Sequence, residues 1–203
     1  MAVPARNRDH AAVRASALCA VALLAACAGG PAPSEWQLGA RGALAQYQRY
    51  YLGGDTQFAE KEFAQARAEI ARTGRLVLLA RAELVRCAVR TASLEFDDCP
   101  GFEALRADAG AEETAYADYL AGRATRVATE DPLSRLVAAG VQLKNGTITP
   151  TGMSAAVEIA SSQGWRRPLL AWLTLQEKRA EQGGDPVALA RIRRRIELIT
   201  TGK

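Results

Sequence analysis

The sequence predicts an all-α protein, and three observations carry that prediction. From Ser34 onward, apolar residues recur at intervals of three and four. Helix stop and start signals, Gly-Asp and Asp-Pro pairs, punctuate these runs at short distances. The one segment that could be read as a hairpin, around Asn145-Gly146, has no other strand to pair with. About eight helices joined by short connections are expected, which places chain neighbours antiparallel.

Ser34 with Gln37 makes a capping-box-like start for the first helix, where Trp36, Ala40, Leu44, Tyr47 and Tyr51 recur at helical spacing. Gly53-Gly54 ends it and Asp55 caps the second, whose buried stripe is Ala59, Phe63, Ala66 and Ile70; Gly74 is its stop. A third helix over about 75–94 carries Val77, Ala80, Leu84, Cys87, Thr91 and Leu94, which puts Cys87 on the packed face. Arg75, Arg81, Arg86 and Arg90 fall mostly on its solvated side. It stops ahead of Cys99-Pro100-Gly101, because a proline disfavours helix in the residue before it.

A turn or two of helix is expected over 102–108, and a better helix over 111–123 with Tyr116, Tyr119 and Leu120 on one side. After a loop at 124–130, Asp131-Pro132 supplies an N-cap and a first-turn proline for a helix carrying Leu133, Leu136, Val137, Val141 and Leu143. Asn145-Gly146 is read as its C-terminus. Thr151 then caps a helix to about residue 162. Another begins near Arg167-Pro168 with Leu169, Trp172 and Leu173, and the last starts at Asp185-Pro186 with Leu189, Ile192, Ile196 and Ile199. The tyrosines Tyr47, Tyr50 and Tyr51 and the tryptophans Trp36, Trp165 and Trp172 are read mostly as core anchors.

The first residues follow a different pattern. Arg6, Arg8 and Arg14 precede an apolar run over 15–26, too short to cross the ~30 Å hydrocarbon core of a bilayer as a helix. Its end, Leu24-Ala25-Ala26-Cys27, resembles the lipobox of bacterial lipoproteins. The resemblance implies cleavage before Cys27, a diacylglyceryl group on its thiol and usually an acyl chain, such as palmitate, on the new N-terminus. Three segments follow from it: a signal peptide at 1–26, a lipidated cysteine and tether at 27–34, and a single helical domain at 35–203. Ala28, where the enteric sorting rule would place aspartate for retention, implies the outer membrane, with the domain facing the periplasm.

Hydrophobic residues make up 49% of the chain, which argues against disorder. The net charge of +4 falls to about +2 without the leader, so no nucleic-acid partner is expected. The single histidine, His10, lies in the leader. The mature chain therefore lacks Ser-His-Asp and Cys-His machinery and histidine zinc sites, and neither a cofactor nor a metal is expected. Cys19 leaves with the leader. Cys87 and Cys99 remain as an even pair, for which a disulfide is the default in an oxidising compartment and two reduced core thiols the alternative. Closing that loop of about a dozen residues is worth roughly 3 kcal/mol on the chain-entropy model.

From Tyr47 to Gly74 the pattern resembles one tetratricopeptide repeat, with Ala59, Phe63 and Ala66 after a Gly-Asp turn. The segment from Trp172 to Ile199 has the same outline, and both hairpins share a Gly-Gly-Asp turn, at Gly53-Gly54-Asp55 and Gly183-Gly184-Asp185. That resemblance implies a scaffold presenting a concave groove to a peptide or protein. The expected architecture is thus a set of antiparallel helical hairpins, as a tetratricopeptide-like solenoid or as an irregular helical bundle.

Two charged groups stand out. Glu95, Asp97, Asp98 and Glu103 offer oxygen ligands to calcium but lack the spacing of an EF-hand, and a solvated loop is the alternative. Arg191, Arg194 and Arg195 share a helical face that suits anionic headgroups or an acidic partner, or else is an ordinary solvated face. The function expected is a non-catalytic, lipid-anchored scaffold that binds an envelope protein partner. The alternatives are a carboxylate-dependent enzyme cleaving cell-wall glycan, against which stands the absence of the Glu-Ser pair of lytic transglycosylases, and a lipid or small-ligand carrier.

Overall fold

A computed structural model describes residues 32–125 and 129–202 of the chain. Among them the regular structure is helical throughout. The helices are α1 (Glu35–Gly53), α2 (Thr56–Ala71), α3 (Leu76–Ala92), the single turn α4 (Pro100–Glu103), α5 (Ala111–Leu120), α6 (Pro132–Lys144), α7 (Pro150–Ser162), α8 (Arg166–Gln182) and α9 (Pro186–Thr201). A 3-10 turn, Arg106–Asp108, follows α4.

The start signals act as the sequence predicts. Asp55, Asp131 and Asp185 each accept from the backbone N–H three residues on, at Phe58 (3.3 Å), Ser134 (2.8 Å) and Ala188 (2.9 Å). The stops share one device. Gly54 and Gly184 turn left-handed, and the N–H of the following aspartate reaches back to the carbonyl of Tyr50 (2.8 Å) or Ala180 (3.0 Å). α3 ends the same way, with Glu95 N–H donating to the Arg90 carbonyl at 2.9 Å. There the left-handed residue is Leu94 (φ 60°), a conformation costing a leucine roughly 1–2 kcal/mol.

Local departures have local causes. Thr149, not Thr151, caps α7, because Pro150 takes the first helical position and the Thr149 hydroxyl accepts from Gly152 N–H at 3.0 Å. Pro100 ends nothing; it opens α4, with which the helices among the described residues number nine against the expected eight. α5 stops at Leu120, short of residue 123, where Gly122 goes left-handed.

α3 lies at the centre, packed on α1, α2, α4, the 3-10 turn, α5 and α6. On one side Ala82 and Val89 join Tyr47, Phe63 and Ile70 of α1 and α2. On the other, Ala80, Leu84 and Ala92 join Phe102, Leu120, Leu136 and Trp172. Trp172 is fully buried, and its indole N–H donates to the Ala92 carbonyl (3.1 Å), one of the end carbonyls α3 cannot satisfy itself. Trp36, Trp165 and Tyr50 are only half-buried, while Tyr47 and Tyr51 are core.

Arg75 and Arg81 are exposed, as the sequence predicts, but Arg86 and Arg90 are half-buried because α3 is surrounded, and three of the four arginines are paired. Arg81 pairs with Glu113, Arg86 with Glu60 (2.9 Å) and Arg90 with Asp97 (3.2 Å). α6, α7, α8 and α9 then pack in sequence, and α1 also packs on α8. A linear solenoid confines contacts to neighbouring repeats. The α1–α8 contact instead closes the helical hairpins into a bundle. No helix among the described residues is long and apolar enough to cross a membrane.

Candidate functional site

α9 is the helix least absorbed by the core. Ile192 is its one buried residue, with Ile196 and Ile199 half-buried beside it against the main apolar cluster. The opposite stripe reads Val187, Arg191, Arg194 and Leu198, at intervals of four, three and four. Val187 is 77% exposed and Leu198 56%, which brackets two exposed guanidinium groups between two exposed aliphatic side chains.

Of the four arginines on α9, only Arg193 is neutralised. It donates to Glu177 (2.7 Å) and to Glu181, one turn apart on α8. Arg191, Arg194 and Arg195 have no acidic partner among the described residues. The structure separates the three that the sequence places on one face: Arg191 and Arg194 point outward, while Arg195 is half-buried at the rim of the stripe. The imbalance extends beyond α9. Residues 166–203 hold nine basic and four acidic residues, against fourteen and seventeen over 27–165. The sequence reading missed Val187 and Leu198; the signal was a second apolar stripe on the helix side away from Ile192.

The cysteines are brought together. Cys87, on the buried face of α3, and Cys99, ahead of α4, stand at disulfide distance with Cα atoms 5.7 Å apart. Three of the four acidic side chains around them are held by separate partners. Glu95 accepts from Arg167 (3.1 Å), Asp97 from the Cys99 N–H (3.0 Å) as well as pairing with Arg90, and Glu103 from Arg106 at 2.7 Å through both oxygens. That fork holds the Glu103 carboxyl below the usual carboxylate range. The ligand atoms that do converge are those of Cys87, Asp97 and Cys99, and the two sulfurs face each other.

A cleft of about 290 Å³ opens between α3, α5 and α6, walled by Arg81, Glu113, Tyr116, Tyr119, Ser134 and Val137. Glu113 is buried and accepts two hydrogen bonds from Arg81, one of 2.8 Å, which hold its carboxyl below the usual range. A general acid for glycan cleavage needs the opposite shift. Glu83, the other buried glutamate among the described residues, is paired with Arg67. Cys27 and the lipobox lie outside the described residues. No protein-family model, curated protein or solved structure matches this chain.

Proposed function

We propose that the chain is a lipid-anchored helical scaffold of the bacterial envelope that binds a protein partner through the outer face of α9. Acyl chains on Cys27 hold it at the outer membrane, facing the periplasm. The observation that carries the partner reading is the unpaired cationic stripe: Arg191 and Arg194 are exposed, flanked by exposed Val187 and Leu198, while Arg193 beside them is neutralised. An acidic partner surface with a small apolar patch complements that arrangement, with charge steering the encounter and the aliphatic ends adding contact area.

In-cell crosslinking followed by affinity purification tests this. Native protein should recover one envelope protein, and the Arg191→Glu/Arg194→Glu variant should recover roughly tenfold less, since each like-charge placement at a docked face costs affinity. Equal recovery by both proteins would remove α9 from the interface. Cys27→Ala should abolish acyl labelling and release the protein from membranes.

A further inference from the structure

The exposed aliphatic side chains concentrate at one end of the bundle. α1 and α2 form a hairpin, so the first turns of α1 lie beside the last of α2; a Cβ on Gly39 would sit 3.3 Å from Glu69 Cγ. α3 begins five residues after α2 ends, which places its first turn at that same end. Three of the seven large apolar side chains open to solvent among the described residues sit there: Leu38 (57% exposed), Leu76 (43%) and Val77 (39%).

The core does not need them. Ala40, Leu78 and Leu79, next along the same helices, do the packing. Arg41 and Arg75 are exposed in the same turns and have no acidic partner among the described residues. By contrast, exposed Phe58, at the other end of α2, leans on Tyr50 with ring centroids 5.5 Å apart.

Glu35 opens α1, so the preceding chain joins the bundle at this aliphatic end. Cys27 is eight residues ahead of Glu35, a span of at most about 28 Å when fully extended. We infer that this end of the bundle rests on the bilayer: Leu38, Leu76 and Val77 enter the boundary between headgroups and acyl chains, and Arg41 and Arg75 meet lipid phosphates. The inference depends on the Cys27 anchor proposed above.

A lipid surface is favoured over a protein because of position: the chain enters the bundle at this end, at most about 28 Å from the acylated cysteine. For a tethered domain a small contact is enough. The acyl chains supply the affinity, the short tether keeps the local concentration high, and a weak patch is then sufficient to set orientation. The turn at Gly53–Asp55, at the other end of α1, would point away from the membrane.

The test uses lipidated full-length protein in vesicles of phosphatidylethanolamine and phosphatidylglycerol with brominated acyl chains, which quench tryptophan near the acyl boundary. Leu38→Trp is compared with Gln57→Trp, an exposed position at the far end of the α1–α2 hairpin. Floated vesicles first report anchoring. The added tryptophan of the Leu38→Trp protein should be quenched at least about twofold more than that of Gln57→Trp, because an interfacial apolar face sits only ~5–10 Å into the boundary. Equal quenching in protein that floats with the vesicles overturns the docking and leaves the anchor standing. Native full-length protein that proves to carry no acyl chain on Cys27 and stays at the bottom of the gradient overturns the anchor and, with it, the docking.

Discussion

Arg167 grips the C-terminal end of α1 through Tyr51. Its guanidinium carbon lies 4.2 Å from the centre of the Tyr51 ring, and its Nε–H donates to the Tyr51 carbonyl at 2.7 Å. The same fork reaches Glu95 (3.1 Å) and the Thr56 hydroxyl (2.6 Å). One side chain at the start of α8 thus joins α1, α2 and the loop leaving α3, and it places a cation at a helix C-terminus, where the macrodipole favours one. Burial, followed by the facing Glu95 carboxylate, pushes the Tyr51 hydroxyl well above its ordinary pKa, so the ring stays neutral.

Arg167→Ala should therefore destabilise the bundle by about 2–3 kcal/mol, the sum expected of charge-assisted bonds and a ring contact in a half-buried setting. Arg167→Lys should recover only part of that, because an ammonium cannot serve three directions with a planar fork. Urea unfolding of the three proteins checks the order. Equal stabilities would mean that these contacts contribute nothing.

Gly140→Ala should reverse the usual helix-propensity sign. In an open helix the change stabilises by about 1 kcal/mol. Here the new Cβ would stand 2.3 Å from the Thr91 carbonyl oxygen, a backbone atom of α3 that cannot step aside. A net loss of roughly 1–3 kcal/mol is expected from forcing α6 off α3. Thermal unfolding of the variant decides it, and a raised midpoint would show that α6 has room.

The Arg81–Glu113 pair predicts a dependence on pH. Arg81 lowers the folded-state pKa of Glu113, so its contribution is present above the ordinary carboxylate pKa and is lost as pH falls through the lower, folded value. The native protein should exceed Glu113→Gln in stability at neutral pH, and the gap should narrow below the ordinary carboxylate range near pH 4. A gap that stays constant down to pH 3 would contradict the pairing.

Protein unfolded without reductant should show no alkylatable thiol at Cys87 or Cys99, and the Cys87→Ala/Cys99→Ala variant should lose about 3 kcal/mol. Modification of both thiols in the native chain would show two reduced cysteines instead.

Much of the fold was legible because its signals are local. Asp55, Asp131 and Asp185 cap the residue three ahead, and Gly54 and Gly184 turn left-handed, each within a few residues of the pattern that announces it. Leu94 was not legible as a left-handed stop, since the backbone there follows from what surrounds it and no glycine marks it. The Arg167 contacts join residues 72 to 116 positions apart, a pairing that no periodicity encodes. On α9 the sequence displayed the basic face. It could not display that Glu177 and Glu181 neutralise Arg193 beside that face, because those acids belong to another helix.

The contact between α1 and α8 has a thermodynamic corollary. Stacked hairpins that touch only their neighbours can lose their terminal repeats one at a time. A bundle in which α1 is held by α8 cannot fray in that way, because releasing α1 strips the Tyr51 carbonyl and ring from Arg167 and exposes the α8 surface they engage. Its helices should melt in one cooperative transition, with van't Hoff and calorimetric enthalpies equal.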